Sequence, residues 1–504
     1  MLRHRSRVGL AASTSGAGWV ACAVLFAAVS ADAAPAAPSV SATSDGLAGR
    51  RLAIDTPLHM YATPSAPVSP TIYLERCKGG CLIHKGATND ARTNTSTIPA
   101  QDSPIGEFAN SLGQIGTAAD AEWGQVVQCM KEVYSPYNVA VTDVKPTSGA
   151  YHEALIAGLP TDIGQSNDIL GLAPLASDCS AIDNVISFTF ANRHPPAARV
   201  LNICWTASQE SAHAFGLDHE YQFVAGSTSA CKDPMTYRTD CGGEKFFRNE
   251  PADCGETATR PCKCGATQNS HQKLLSVFGA GTPITGNPTV TLTSPLASGG
   301  GLGRSVTVSA GCKRGVAHVD LLLNGYKWVD QPGASFGLSG QADPSAYAIA
   351  VPTALPDSII DVQVVAYDDL DAKTESPVVT VTKGAPCASA ATCAKGQKCE
   401  AGKCFWDPPA GEIGDSCAYP QFCQSGLCTG TKDQQICTQS CIPGVADGCP
   451  AGFSCVMSSA TDGVCFFSSS GGCCSVDRSG QGWLVPGGTA AILLGLVRRR
   501  RRRR

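Results

Sequence analysis

Residues 209–219 carry the side chains of this chain that are best suited to metal chemistry, in the order Gln-Glu-Ser-Ala-His-Ala-Phe-Gly-Leu-Asp-His. Because an α-helix turns once every 3.6 residues, Gln209 and His213 would lie on one face and could converge on one cation. Gly216 would let the chain leave the helix sharply, in a conformation that residues with a Cβ resist. His219 could then return as a third ligand. Catalytic zinc takes three protein ligands and keeps one position for water, so this spacing predicts a zinc site.

A second segment, Asp233-Pro-Met-Thr-Tyr237, follows 14 residues later. The two segments together resemble the zinc-binding helix and the Met-turn of the metzincin metallopeptidases, H-E-x-x-H-x-x-G-x-x-H and S-x-M-x-Y. Two positions differ, since Gln209 stands where the family has His and Asp233 where many members have Ser. The matching positions are Glu210, His213, Gly216, His219, Met235 and Tyr237.

The resemblance implies a site for peptide-bond hydrolysis with Zn²⁺ as its cofactor and a peptide or protein as its substrate. By this resemblance the catalytic residues are Glu210, as general base, and Tyr237, as support for the metal or the oxyanion; the metal ligands are Gln209, His213 and His219; and Met235 packs beneath the site.

Gln209 leaves two hypotheses about function open. An amide oxygen is neutral like imidazole, but it is a weaker and harder donor, and zinc prefers nitrogen and sulfur. The first hypothesis is a secreted or surface-anchored zinc metalloendopeptidase with lowered zinc affinity, which a third ligand such as His152 or His194 would restore. The second is a catalytically inactive metzincin-like protein that acts in extracellular binding or adhesion.

Residues 1–33 have the three parts of a secretory signal peptide. Arg3, Arg5 and Arg7 form a basic region, Trp19–Val29 is an apolar run, and the small residues at 31–33 form a cleavage site. The apolar run is too short for a membrane anchor, so we expect export with cleavage before residue 34.

The C-terminal residues combine Cys473 and Cys474, a largely apolar stretch from Trp483 to Val497, and seven arginines at 498–504. This combination resembles the MYXO-CTERM sorting signal of myxobacterial surface proteins. The resemblance implies processing near the two cysteines, transient membrane association through this segment, and delivery to the cell surface or the medium. The arginines agree with the positive-inside rule, as a cytoplasmic stop signal.

Composition supports an extracellular location. The 26 cysteines of the chain indicate an oxidising compartment and a disulfide framework. Without Asp32, the arginines of the signal peptide and the seven terminal arginines, 28 basic residues face 41 acidic ones, a formal charge of −13. A protein this acidic is poorly suited to nucleic acid, so none is expected as a partner.

Changes in sequence texture predict a multidomain chain: an α/β metzincin-like domain, an all-β Ig-like sandwich and a small disulfide-rich region. In the first domain, apolar residues at helical spacing predict a helix over 118–134, and β-rich stretches predict strands over 71–75, 137–143 and 184–190. Residues 270–278 are a further predicted helix. Metzincins show this order: a helix, two strands, and then the helix that carries the zinc-binding motif. The predicted regions are 1–33, signal peptide; 34–70, linker; 71–283, metzincin-like domain; 284–384, Ig-like sandwich; 385–468, cysteine-rich modules; and 469–504, sorting segment.

Short strands separated by turn residues predict the sandwich, which resembles bacterial Ig-like modules of secreted enzymes and suits spacing or adhesion. Its predicted strands lie at 289–293, 305–309, 318–323, 360–367 and 378–382.

Twelve cysteines lie between Cys387 and Cys465. A segment this short cannot bury a large core, so we predict six stabilising disulfides and favour them over a zinc cluster. Disulfides are also preferred to metal binding for Cys77 and Cys81, and for Cys262 and Cys264.

We predict that the mature protein lacks residues 1–33 and the terminal arginines, because both segments carry export or sorting signals. Mass spectrometry of surface-exposed protein should find an N-terminus at Ala34, with peptides from the sandwich as the coverage control. An intact 498–504 peptide recovered from that protein would contradict the sorting-signal interpretation.

Overall fold

The computed structural model describes residues 68–224, 232–238, 244–293, 298–333, 345–430, 434–441, 448–458 and 463–467, and the backbone of 50–56. These residues form mostly β-sheet, with few helices and a disulfide-rich C-terminal region. The predicted signal peptide, most of the predicted linker and the predicted sorting segment lie outside the described residues. Within the described ranges, no helix has both the length and the apolar character needed to cross a membrane.

The first region, residues 50–278, is organised around a six-stranded sheet. Its described elements are β1 (Arg50–Thr56), β2 (Thr71–Glu75), β3 (Cys81–Lys85), β4 (Thr95–Ser96), β5 (Ser103–Ile105), α1 (Asp120–Tyr134), β6 (Ala140–Thr142), β7 (His152–Ile156), β8 (Ile169–Ala176), β9 (Ile186–Thr189), α2 (Arg199–Ala214), β10 (Glu220–Phe223), β11 (Ala252–Cys254) and α3 (Ser270–Phe278). The strand order is β1-β8-β9-β7-β2-β6, and all neighbours are parallel except β8 and β9.

Helices α1 and α2 pack against one face of this sheet. α1 buries the apolar stripe that its spacing predicted, and α2 is buried along most of its length. Both helices share a core with Ile72 of β2 and Ile156 of β7. The disulfide between Cys129 and Cys204 joins the two helices covalently.

Most of the predicted elements of this region are present. The strand at 71–75 is β2, the helix at 118–134 is α1, and the helix at 270–278 is α3; the strands at 137–143 and 184–190 are shorter, as β6 and β9. β7 and β8 were not predicted. Every residue of both is buried, so their sequences lack the alternation that marks a half-exposed strand.

Residues 289–383 form two packed sheets, called the sandwich below. Its described strands are β12 (Thr289–Leu292), β13 (Ser305–Gly311), β14 (His318–Leu323), β15 (Tyr326–Pro332), β16 (Ser345–Ala350), β17 (Ser358–Tyr367), β18 (Lys373–Glu375) and β19 (Val379–Lys383). One sheet has the order β12-β13-β16; the other has β15-β14-β17, and β18 and β19 also pair with β17. Apolar residues from both sheets form one core. The five predicted strands are present, whereas β15, β16 and β18 were not predicted.

A buried cluster of three charged side chains joins the sandwich to the first region. Asp369 accepts two hydrogen bonds of 2.8 Å from Arg314 and one of 3.3 Å from Arg248. The three side chains are at most 4% exposed. The backbone nitrogen of Arg248 also donates to Asp233 at 2.8 Å. Arg248 therefore connects the sandwich to the segment 233–237, since it contacts both Asp369 and Asp233.

Six disulfides of the C-terminal region, residues 387–467, follow one repeated pattern, which confirms the predicted number. In three successive modules the first cysteine pairs with the third and the second with the fourth: Cys387–Cys399 and Cys393–Cys404, Cys417–Cys428 and Cys423–Cys437, Cys441–Cys455 and Cys449–Cys465. The described strands are β20 (Lys398–Glu400), β21 (Lys403–Phe405), β22 (Cys428–Gly430), β23 (Gln435–Cys437), β24 (Ser440–Cys441), β25 (Phe453–Met457) and β26 (Gly463–Phe467). β21 pairs with β17, which attaches the first module to the sandwich.

The first region has four described disulfides. They include the cysteines at 77, 81, 262 and 264, for which the sequence favours disulfides over metal binding. The four bonds are Cys77–Cys81, Cys129–Cys204, Cys179–Cys264 and Cys254–Cys262. Two of them, Cys179–Cys264 and Cys254–Cys262, hold the segment that follows β11.

We predict that reduction unfolds residues 387–465 and leaves the sandwich folded. Within the described part of the C-terminal region, the buried apolar side chains are cysteines, apart from Ile436. Each bridge spans 11 to 16 residues, and a loop of that size contributes about 3 kcal/mol of stability. Hydrogen exchange should therefore rise in the modules after reduction but stay low in β13, β14 and β17. Unchanged exchange in the modules would refute this account.

Candidate metal centre

Helix α2 brings Gln209, Glu210 and His213 into the interior of the first region. All three side chains are fully buried, and the helix contacts β7, β8 and β9. Gln209 and His213 are one turn apart on this helix, as their spacing predicted.

The helix ends in a Schellman motif at Gly216. The backbone nitrogen of Leu217 donates to Ala212 at 3.1 Å, and that of Gly216 donates to His213 at 2.9 Å. Gly216 has a φ of +89°, and a Cβ there would lie 2.0 Å from the carbonyl oxygen of Cys179. A side chain at this position is therefore excluded by both the backbone conformation and the space available, which agrees with the role predicted for this glycine.

The chain returns His219 to the side of His213. Their Nε2 atoms are 3.0 Å apart, and the rings meet edge to face with centroids 4.6 Å apart. Both histidines are buried. Two of the three predicted ligands thus present the same nitrogen atom to a common point.

The other nitrogen of each ring faces an acceptor. Nδ1 of His213 lies 2.7 Å from the carbonyl oxygen of Leu217, and Nδ1 of His219 lies 2.9 Å from Oε1 of Glu256. Since both partners are oxygen acceptors, we assign the proton of each ring to Nδ1. Burial, followed by the proximity of His219, lowers the pKa of His213 to about 3, so this imidazole is neutral near neutral pH. The hydrogen bond from His219 lowers the pKa of Glu256 to about 2.

This arrangement directs two nitrogen lone pairs at each other across 3.0 Å. Such atoms repel unless a proton or a cation lies between them. Zinc–nitrogen bonds of about 2.0–2.1 Å in a tetrahedral site place two ligand nitrogens roughly 3.3 Å apart. The pair is therefore close to the spacing that zinc requires.

Glu210 lies directly against β8. A Cβ built on Gly171 would be 2.4 Å from Oε1 of Glu210, so the carboxyl group runs beneath the bare backbone of the strand. β1 pairs with the same part of β8, where Arg51 is opposite Gly171. The absence of a side chain at Gly171 is what leaves room for the buried carboxyl group.

The segment 233–237 is joined to α2 and to the histidine pair. Gln209 donates from Nε2 to the carbonyl oxygen of Met235 at 3.3 Å. Met235 is fully buried, and the ring of Tyr237 lies 4.6 Å from that of His219. Asp233 accepts the backbone hydrogen bond of Met235 at 2.8 Å, which gives the Asp at this position a structural role.

Two other histidines considered as ligands lie in different surroundings. His152, on β7, contacts Ser187 through Nε2 at 2.9 Å and packs its ring on Phe215. The backbone carbonyl of His194, after β9, accepts a hydrogen bond from Arg199. Among the contacts that the structure describes, none brings either histidine to the His213–His219 pair.

Three further residues, none of them selected as a site residue from the sequence, lie around His219. Asp218 accepts hydrogen bonds of 2.6 and 2.8 Å from Arg260, and Arg260 also donates to Glu256 at 2.7 Å. Glu256 lies 37 residues from His219 in the chain. The cysteines at 254 and 262, which the structure joins as a disulfide around Glu256 and Arg260, are the signal in the sequence that could have indicated a fixed loop.

No family model matches this chain, and no curated protein matches it. Among solved structures, the fibronectin(III)-like modules of Clostridium thermocellum CbhA are 24% identical over 19% of this chain and 47% of that chain, with a TM-score of 0.15. The apo structure of Bacteroides uniformis beta-glucuronidase 3 is 12% identical over 24% of this chain and 14% of that chain, with a TM-score of 0.12. The match thus spans about half the length of the CbhA chain. Similarities this low carry no argument about fold or function.

We predict opposite effects for one substitution at two glycines. Gly216→Ala should destabilise the protein by at least about 2 kcal/mol, because a left-handed backbone and a blocked Cβ position both oppose it. Gly124→Ala, in α1 where a Cβ meets nothing within 4 Å, should be neutral or stabilise by about 0.5–1 kcal/mol. Chemical denaturation of both variants measures the two effects, and a Gly216→Ala protein as stable as the parent would contradict the assigned turn.

Proposed function

We propose that this chain is a secreted or surface-anchored zinc metalloendopeptidase of metzincin type that hydrolyses peptide bonds in a peptide or protein substrate. The observation that carries the proposal is the His213–His219 pair, with its Nε2 atoms 3.0 Å apart. Each ring is held through Nδ1 by an oxygen acceptor, so both facing nitrogens are suited to bind a cation.

The residues present fit a zinc ion. His213 and His219 would each contribute Nε2, and Gln209 would contribute Oε1 as a weaker third ligand. Zinc, when bound, polarises the scissile carbonyl group and lowers the pKa of water. Three protein ligands leave one position open for that chemistry.

Glu210 would take a proton from the attacking water and deliver it to the leaving amine nitrogen, so that the proton is conserved through the reaction. Its packing against Gly171 holds the carboxyl group between α2 and β8. Tyr237, whose ring contacts that of His219, would support the oxyanion through its hydroxyl group.

The surrounding structure supports the same assignment. A long helix, α1, and then the strands β6 to β9 precede α2, which agrees in outline with the order that the resemblance to metzincins implies. The disulfides suit an exported protein, and the sandwich and cysteine modules suit spacing or adhesion at a surface. Surface delivery would depend on the C-terminal sorting segment.

The second candidate is a catalytically inactive metzincin-like binding protein, and the contact of Gln209 favours it. The hydrogen bond from Gln209 to the carbonyl oxygen of Met235 connects α2 to the segment 233–237, which is a structural role for this side chain. A histidine at position 209 would be a better zinc ligand. Glutamine in its place therefore fits a structural role for this residue better than a role in binding zinc.

Metal content separates the two candidates. Inductively coupled plasma mass spectrometry of the exported protein should find about one zinc per chain if the peptidase hypothesis holds. Protein with His213 and His219 both changed to Gln is the control, since it retains polar side chains of similar size but loses the two nitrogen ligands.

We predict that Gln209→His raises zinc affinity by at least tenfold, because imidazole nitrogen suits zinc better than an amide oxygen. Peptidase activity, measured on a denatured protein substrate, should rise with it. The double variant Gln209→His with Glu210→Ala should bind zinc equally well but cleave nothing, because the proton acceptor is gone. If Gln209→His binds no more zinc than the parent, position 209 does not converge with the two histidines, and the binding-protein hypothesis takes precedence.

A further inference from the structure

The segment after β11 forms a closed loop beside His219. The disulfide Cys254–Cys262 joins its ends, and Cys179–Cys264 ties the following residues to the turn after β8. The backbone nitrogen of Gly255 donates to the carbonyl oxygen of His219 at 3.0 Å. The loop is therefore held to the chain at the histidine itself.

Glu256 is held in one orientation within this loop. Oε1 of Glu256 lies 2.9 Å from Nδ1 of His219 and accepts a second hydrogen bond, of 2.7 Å, from Arg260. Arg260 in turn binds both oxygens of Asp218, at 2.6 and 2.8 Å, and Asp218 accepts the backbone hydrogen bond of Lys263. The guanidinium group thus connects the carboxylates on both sides of His219.

The geometry points to Glu256 as the positioning residue for His219: it holds the imidazole by Nδ1 so that Nε2 faces Nε2 of His213. This inference rests on the proposed function, because it assigns His219 as a metal ligand. A carboxylate on the outer nitrogen fixes the ring orientation and tautomer of a ligating histidine and increases its basicity. Arg260 would act one step further out, by fixing the carboxylate.

The alternative is a cation bound directly by Asp218, His219 and Glu256, each of which offers one donor atom within 4.8 Å of the others. Arg260 argues against it. Its guanidinium group already makes three hydrogen bonds of 2.8 Å or less to the two carboxylates, and a cation would have to displace it. A role of Glu256 in orienting His219 leaves the hydrogen bonds of Arg260 intact.

The test compares Glu256→Ala and Glu256→Gln in the full chain, with Asp253→Ala as the matched control. Asp253 lies three residues earlier, in β11, and no contact between it and His219 is among those described. Zinc affinity, measured by competition with a chelator, should fall 10- to 100-fold in Glu256→Ala and less in Glu256→Gln, which keeps an acceptor oxygen. Asp253→Ala should match the parent.

Two spectroscopic measurements make the outcome specific. In metal-free protein labelled with ¹⁵N-histidine, His219 should be protonated at Nδ1 in the parent and shift towards Nε2 protonation in Glu256→Ala. With Co²⁺ as the probe, the visible bands should keep their intensity in Glu256→Ala, because the ligand set is unchanged; altered intensity would overturn the inference in favour of direct ligation.

The two proposals fail in different ways. If the parent binds zinc and Glu256→Ala changes neither the affinity nor the tautomer, the positioning role is wrong and the zinc site stands. If the parent binds no zinc but the tautomer of His219 still depends on Glu256, the positioning role is supported and the peptidase proposal fails.

Discussion

The left-handed turn at Gly216 is the constraint on which the candidate metal centre depends. It ends α2 beneath the carbonyl group of Cys179 and directs the chain back, so that His219 meets His213. Cys179 is itself fixed by its disulfide to Cys264. The left-handed conformation of Gly216 therefore sets both the end of α2 and the separation of the two imidazoles. The Cys179 carbonyl group, fixed by the disulfide of that residue, leaves no room for a side chain there.

Asp233 extends this constraint to the rest of the protein. Its carboxylate accepts hydrogen bonds from the backbone of Met235 and Arg248 and from the hydroxyl group of Ser270 in α3. Burial raises the pKa of Asp233, so these donors are what make a carboxyl group acceptable there. Arg248 then binds Asp369 of the sandwich. The segment beneath α2 is thus held from two directions, and the sandwich is more than an appended spacer.

The sequence predicted the features that depend on local spacing. The helix at 118–134 follows from helical periodicity. The turn at Gly216 and the approach of His219 to His213 were implied by the resemblance of residues 209–219 to the metzincin motif. β7 and β8 were missed because strands buried on both faces carry no alternation. Glu256 and Arg260 could not be predicted, because their approach to His219 depends on how disulfides close a distant loop. The contact of Gln209 with Met235 could not be predicted either, because it joins α2 to a segment 26 residues away and depends on tertiary packing.

The cross-links around that loop have a consequence for the cell that makes this protein. A newly synthesised chain in a reducing cytoplasm lacks the Cys254–Cys262 and Cys179–Cys264 bonds, because thiols there are kept reduced. On the proposed assignment, Glu256 would then be free to leave His219, and the affinity of the centre for zinc would be lower. If the proposed export takes place, the chain would therefore reach its full zinc affinity only after these two bonds form.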